Sequence, residues 1–212
     1  MWIKLFHIFV KITGWPVQWL CFRTRVLYED PAVQKRHIRS AAIVVSNHCA
    51  VYDYAVLMFV FWTRTLRCQM AELLFEKKPL GLLLRALGGI RVDRNAHDFG
   101  FMAVSEEILR RGGVVEIFPE SRLPRPGEER PLPFKPSAAY LALSTGVPVI
   151  PVYTNGSYFR RRRAVVLIGR PIDPNAFRSA ERSEKETIAA LNDAMRERII
   201  ELEREYHERC EK

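Results

Sequence analysis

The feature that most constrains this chain is a series of short apolar runs, several of them rich in β-branched residues. Stretches with helical spacing lie between them. The runs fall at residues 41–45, 66–71, 90–92, 114–118, 147–153 and 164–168, and the strongest are bounded by glycine and proline. Strands this apolar have no solvent face. They need partner strands beside them and helices above and below. Among the helical stretches, Phe101, Val104, Ser105, Ile108 and Leu109 share one face, and Gly112 follows Arg110-Arg111 as a stop. Ser183 and Glu186 fit a capping box, after which Ile188, Leu191, Met195, Ile199, Leu202 and Tyr206 step by three or four. The alternation predicts an α/β fold: a central, mostly parallel or mixed sheet flanked by helices, closed by a C-terminal amphipathic helix. At 212 residues such a body can bury a sizeable core, and neither an internal repeat nor a long linker divides it.

The N-terminal segment follows a different rule. Residues 1–22 are dominated by Trp, Phe and Ile, while Lys4, His7 and Lys11 form one narrow polar stripe along a helix. Gly14-Trp15-Pro16 is expected to break that helix. The uncharged run 12–22 has 11 residues, short of the about 20 a bilayer span needs. A small-residue cleavage site is not evident, which argues against a cleaved signal peptide. The expectation is an apolar helical hairpin within residues 1–28, lying in a membrane interface with Trp2, Trp15 and Trp19 at headgroup depth. The alternative is a hairpin packed on the protein's own core. Residues 29–212 then form the globular domain.

Lys and Arg outnumber Asp and Glu by 33 to 24, a formal charge of +9. That balance suits nucleic acid, an anionic membrane or a phosphate-bearing substrate. A nucleic-acid motif and a basic face interleaved with aromatics are both missing, which excludes nucleic acid. The run Arg160-Arg161-Arg162-Arg163 reads as a solvated loop or as a contact with lipid headgroups. Cys21, Cys49, Cys68 and Cys210 form no CxxC pair, so no metal site is expected and the thiols read as free, in a reducing, cytosolic-side environment.

Four blocks carry chemistry-bearing residues. Asn47-His48-Cys49-Ala50-Val51-Tyr52-Asp53 begins where the first buried run ends, and in open α/β sheets ligands gather at the carboxyl ends of strands. A His with an Asp five residues on, across a strand-to-helix turn, can form a base and its orienter. Alone, this spacing is weak. Gly88-Gly89-Ile90-Arg91-Val92-Asp93-Arg94 permits close backbone approach and offers two guanidiniums to an anion. Phe118-Pro119-Glu120-Ser121-Arg122 ends a buried strand with a carboxylate and a guanidinium, on the same sheet edge as His48 if the strands are parallel. Val147-Pro148-Val149-Ile150-Pro151-Val152 is a strand whose prolines suit an edge or a bulge.

Taken in order, these blocks resemble those of the glycerolipid acyltransferases typified by 1-acylglycerol-3-phosphate acyltransferase, which show NHx4D, Gly-x-Ile-x-x-Asp-Arg, Phe-Pro-Glu-Gly-Thr-Arg and Val-Pro-x-x-Pro-Val. Pro79-Leu80-Gly81, Phe134-Lys135 and Gly169-Arg170-Pro171-Ile172 extend the resemblance over about residues 40 to 175. It implies that His48 deprotonates an acceptor hydroxyl that attacks a thioester, and that Asp53 orients His48. It further implies that Asn47, Arg91, Arg94, Glu120 and Arg122 bind substrate. Its implied substrates are lysophosphatidic acid, or another lysolipid such as a lyso-aminolipid, and acyl-CoA or acyl-acyl carrier protein as co-substrate. A cofactor, a metal and a covalent acyl-enzyme are not implied, so Cys49 is expected to be inert. The implied location is peripheral, on the cytoplasmic face of a membrane. A non-catalytic membrane-binding protein is the remaining alternative. The chain departs from the pattern at Ser121-Arg122-Leu123-Pro124-Arg125, where Arg122 comes one place early and either Arg122 or Arg125 can fill its role.

Overall fold

A computed structural model describes residues 1–34, 36–93, 100–159 and 163–210. Among these, β1 (Arg25–Tyr28), β2 (Ala42–Ser46), β3 (Leu66–Ala71), β4 (Ile90–Val92), β5 (Val114–Ile117), β6 (Val149–Thr154) and β7 (Val165–Ile168) form one sheet, in the order β1-β7-β6-β2-β5-β3-β4. The strands from β6 through β4 are parallel. β7 and β1 are parallel to each other, and β7 meets β6 antiparallel. The sheet is therefore mixed, with one reversal.

Its faces are covered as the apolar runs require. On one side lie α1 (Trp2–Val17), α2 (Asp53–Val60), α3 (Glu72–Glu76) and α4 (Leu80–Ala86). On the other lie α5 (Gly100–Arg110), α6 (Ser137–Thr145) and α7 (Glu184–Cys210). Every residue of β2, β5 and β7 is buried, the reason these strands read as unbroken apolar runs. In α7 the residues Leu191, Met195, Ile199, Leu202 and Tyr206 are all buried. The helix starts as its capping box dictates: Ser183 N–H donates to the Glu186 carboxylate at 2.8 Å, and Glu186 N–H donates to Ser183 Oγ at 3.3 Å.

Three features differ from the sequence reading. β1 was not anticipated, because Arg25-Val26-Leu27-Tyr28 is too short and too mixed to read as a strand. It forms by pairing with β7, so the segment 1–28 contributes its last four residues, 25–28, to the sheet. β6 is interior rather than an edge strand. Continuing its register places Pro151 opposite Gly169, one residue past the end of β7, and Gly169 N–H donates to Pro151 O at 2.8 Å. The N–H that Pro151 lacks thus falls where β7 has already stopped.

The third difference is the N-terminal segment, which is not a hairpin. α1 continues through Gly14-Trp15-Pro16, and a wider π-helical turn, Gln18–Phe22, follows without a break. Pro16 is exposed and deletes one N–H near the helix end, a loss the change of pitch absorbs. The chain leaves helical geometry at Arg23, with φ +48°.

α1 is also inside out. His7 and Lys11 are buried at 1% and 3% exposure, while Trp2, Leu5, Ile8, Phe9, Ile12, Trp15, Trp19 and Leu20 are exposed. The buried cation has specific work. Lys11 Nζ donates to Phe61 O (3.4 Å), Trp62 O (2.8 Å) and Arg64 O (2.7 Å), capping the carbonyl end of α2. Burial pulls its amine down to about 8, which leaves it charged at neutral pH. His7, its pKa lowered by burial, donates from Nε2 to Leu87 O (2.9 Å) just past α4. Gly88 has φ +70°, and a Cβ there would meet Arg67 and Ile3 of α1 at 2.5 and 2.9 Å, so only glycine lets α1 sit this close.

Removing the ammonium leaves those three carbonyls unpaired. Lys11→Ala is expected to cost about 1–3 kcal/mol, read as a fall of several degrees in thermal unfolding followed in detergent. An unchanged midpoint would mean α1 is not held by this cap.

Candidate active site

β2 and β5 are neighbours and parallel, with Val45 opposite Ile117, so their carboxyl ends open on the same edge. Asn47-His48 leaves β2 there and Phe118-Pro119-Glu120 leaves β5. The turn from β2 into α2 closes around Asp53. Its side chain is fully buried and accepts four hydrogen bonds. Oδ2 takes Cys49 N–H (2.7 Å), Ala50 N–H (2.9 Å) and His48 Nδ1 (2.8 Å). Oδ1 takes the Tyr158 hydroxyl at 2.6 Å. A carboxylate in the first turn of a helix also faces the positive end of its dipole.

This arrangement assigns the tautomer of His48. With the carboxylate as acceptor, Nδ1 carries the proton and Nε2 presents its lone pair. Nε2 makes no hydrogen bond among the described residues. The ring stacks on Phe118 with centroids 4.4 Å apart and keeps 21% of its side-chain surface exposed. Its backbone is held too: His48 N–H donates to Glu120 Oε1 (2.8 Å), while Leu132 N–H donates to Glu120 Oε2 (2.9 Å). Burial raises the Glu120 carboxyl, and these two N–H groups oppose the rise. The expected pairing of His48 with Asp53 is therefore present, and Glu120 joins it as a brace between β5 and the base.

The other expected site residues divide. The Asn47 amide is engaged at both ends by Thr154: Nδ2 donates to its carbonyl (2.9 Å) and Oδ1 accepts from its N–H (2.8 Å). That makes Asn47 a cross-strand tie from β2 to β6 rather than a group held out to substrate. Arg91 lies on β4, two strands beyond β5, more than half exposed and paired with Glu72 at 3.0 Å. It is not brought to His48. Arg122 is locked bidentately to Glu128 (2.7 and 2.8 Å), which holds the Glu128 carboxyl down to about 2. Arg94, like Arg160 to Arg162, lies outside the described residues. Ser121 has φ +63°, a backbone glycine adopts freely, at the place where the related pattern carries Gly.

Three contributors were not read from the sequence. Tyr158 anchors the second oxygen of Asp53, and its own hydroxyl lies 2.8 Å from Thr154 Oγ1. Burial and Asp53 push its pKa up, so it serves as a donor. Its one signal is position, since it follows the carboxyl end of β6. Arg130 is exposed, and its charge is near enough to favour the ionised Glu120 and Cys49. Glu116 on β5 is the third. It is fully buried, neither carboxyl oxygen has a partner, and burial plus nearby Asp53 push its pKa well up.

Two predictions follow from these environments. Burial, aided by Asp53, pushes the Cys49 thiol up to about 12, and a Cβ on Gly156 would meet Cys49 Cβ at 2.6 Å, so the thiol is packed and protonated. Cys49→Ala should keep most of the turnover, and iodoacetamide at neutral pH should leave the wild type active; loss in both would make Cys49 a reacting group. Glu116 bears on stability. Its folded pKa lies above the ordinary 4.5, so its contribution is full below that value and is lost as pH rises toward the folded pKa. Glu116→Gln should therefore match the wild type near pH 4.5 and gain on it above, by up to about 1.4 kcal/mol per pH unit. Unfolding midpoints across pH check this, and a pH-independent gap would refute it.

A family model described as Acyltransferase matches residues 26–155. Human 1-acyl-sn-glycerol-3-phosphate acyltransferase beta is 32% identical over 155 residues, covering 71% of this chain and 54% of that protein. The 1-acyl-sn-glycerol-3-phosphate acyltransferase of Bacillus subtilis is 26% identical over 169 residues (77% of this chain, 82% of that one). The Haemophilus influenzae enzyme of the same name is 27% identical over 194 residues (87% and 78%). The chain thus spans about half the length of the human relative and roughly four fifths of the bacterial ones. The crystal structure of the 1-acyl-sn-glycerophosphate acyltransferase PlsC from Thermotoga maritima aligns with a TM-score of 0.64 at 24% identity, over 95% of this chain and 79% of that one, a likeness of fold. With more than half its length matched by the family model, this chain belongs to the acyltransferase family.

Proposed function

We propose that this protein transfers a fatty acyl group from acyl-CoA or acyl-acyl carrier protein to the free hydroxyl of lysophosphatidic acid, forming phosphatidic acid at a membrane surface. The observation that carries the reading is the His48–Asp53 pair, with Nδ1 tied to a fully buried carboxylate at 2.8 Å and Nε2 free on the sheet edge. Nε2 takes the hydroxyl proton as the oxygen attacks the thioester carbonyl. The C–O bond forms, the C–S bond breaks, and the proton passes to the departing thiolate. Asp53 stabilises the transient imidazolium, and Glu120 with Phe118 fixes where the ring sits.

The acceptor follows from the cations and from the relatives, whose names specify 1-acylglycerol-3-phosphate. Of the arginines near the base, Arg130 has no ion pair among the described residues, whereas Arg122 is held by Glu128. We assign the acceptor phosphate to Arg130, with Arg94 a second grip. The same occupied Arg122 is the observation that favours a second reading, a lysolipid whose headgroup lacks a free phosphate. Membrane attachment follows from the outward apolar face of α1, since no helix among the described residues is long and apolar enough to cross a bilayer.

The test is thiol release from palmitoyl-CoA in detergent micelles, with and without lysophosphatidic acid. Release should require both the acceptor and His48, with His48→Ala lowering turnover by about 10³ or more while the fold is retained. Arg130→Ala should raise the KM for lysophosphatidic acid about tenfold or more. Acceptor-independent release would point to a thioesterase. A preference for a lyso-aminolipid would select the second reading, and retained turnover in His48→Ala would overturn the mechanism.

A further inference from the structure

A cleft of about 800 Å³ lies between the π-helical turn, α2 and the start of β1, and none of His48, Asp53 or Glu120 lines it. Its volume is that of a site for a small ligand. Its walls are one-sided in charge. Arg23, Arg36 and Arg163 line it with His37, and among the described residues no Asp or Glu does. None of these three guanidiniums has a hydrogen-bonded or ion-paired partner among the described residues. Other described arginines, among them Arg25, Arg39 and Arg130, also have no ion pair; what sets these three apart is that they converge on one concavity whose described lining holds no acid. Cations left unpaired around a concavity are arranged for an anion from outside the chain.

Two further observations specify the anion. Gln18 lines the cleft at 9% exposure; its Nε2 donates to Thr24 Oγ1 at 2.7 Å, while its Oε1 is buried with no partner. A buried carbonyl oxygen of this kind wants a hydroxyl donor. Trp15, Trp19, Leu20 and Trp62 also line the cleft, and each is among the exposed apolar residues. The cleft therefore opens along the apolar face of α1. A soluble phosphate would use the arginines alone. A molecule matching the arginines, the free Gln18 oxygen and the adjoining apolar strip has a phosphate, a headgroup hydroxyl and acyl chains.

We infer that this cleft binds the headgroup of an anionic phospholipid of the membrane, at a site separate from the one where acyl transfer occurs. The phosphate lies among Arg23, Arg36 and Arg163, and a headgroup hydroxyl donates to Gln18 Oε1. The chains leave past Trp15, Trp19 and Leu20 into the bilayer. Such a ligand fixes the rotation of α1 about its axis at the surface, which an apolar face alone does not.

Three of the four tryptophans line the cleft and report on it. Tryptophan emission of the full chain is titrated with vesicles of dioleoylphosphatidylcholine, and with the same lipid containing dioleoylphosphatidylglycerol. The wild type should bind the anionic vesicles at least about tenfold more tightly, and Arg36→Glu/Arg163→Glu should lose most of that preference. Arg182→Glu/Lys185→Glu, an equal charge change beside α7 on the other face of the sheet, should keep it. Equal loss in both double variants would reduce the effect to net charge and overturn the site. A saturable response to inorganic phosphate alone, lost in Arg36→Glu/Arg163→Glu, would make this a free-phosphate site and also overturn it. Turnover of Arg36→Glu/Arg163→Glu in detergent micelles should equal the wild type; a collapse there with the fold intact would place the cleft on the reaction path instead. The binding readout does not depend on acyl transfer, so a failed reaction assignment and a failed lipid site are distinguishable.

Discussion

The candidate centre depends on burying one carboxylate. Asp53 is fully removed from water at the start of α2, and such a group is tolerable only when its lone pairs are filled. Four donors fill them: two backbone N–H groups of the β2–α2 turn, the His48 ring and the Tyr158 hydroxyl. Each donor is thereby fixed in place. The turn can wrap in one way, His48 can hold one tautomer, and the segment after β6 must bring Tyr158 across. The desolvation that threatens the fold is the same force that orients the base.

Glu116 makes the contrast. It is equally buried and near enough to feel the Asp53 charge, yet neither of its oxygens has a partner. Two carboxyls behind one sheet edge thus differ in their surroundings: one has four donors and the other has none. Glu120 has two donors: burial raises its pKa, and N–H groups from Leu132 and His48 oppose the rise. No residue type distinguishes the three. Only their donors do.

That distinction marks what the sequence could carry. The sheet was legible because β2, β5, β6 and β7 are apolar at most positions, while β3 and β4 read more weakly through Arg67, Gln69 and Arg91, and α7 was legible because its buried residues step by three or four. The His48–Asp53 pair was legible because both partners lie within one turn. β1 was not, since its strand character comes from β7 and not from its own residues. The hairpin expectation failed because glycine and proline announce a break, while the chain can change pitch instead. The partners of Asn47, Arg91 and Arg122 were not legible for a common reason. Each is polar and well placed in a motif, and each has its hydrogen-bonding capacity taken by a partner that is distant in the chain or unremarkable within it: Thr154, Glu72 and Glu128.

The polarity of α1 shows how far such partnerships reach. A helix with polar residues inside and apolar residues outside is unstable in water unless both faces are matched. Here the inner face is matched within the chain: Lys11 on the carbonyl end of α2, His7 on the carbonyl of Leu87. The outer face, with Trp2, Phe9 and Trp15, is matched only by something apolar, whereas the π-helical turn that follows points Phe22 inward into the core. Phe22 packs edge-on against Tyr158 at 5.5 Å, and Tyr158 holds Asp53. The segment that carries the outward apolar face is therefore joined to the Asp53 carboxylate through two side-chain contacts, Phe22 to Tyr158 and Tyr158 to Asp53. The N-terminal segment and the alignment of His48 thus share one chain of contacts: Phe22 on Tyr158, Tyr158 on Asp53, and Asp53 on the His48 ring.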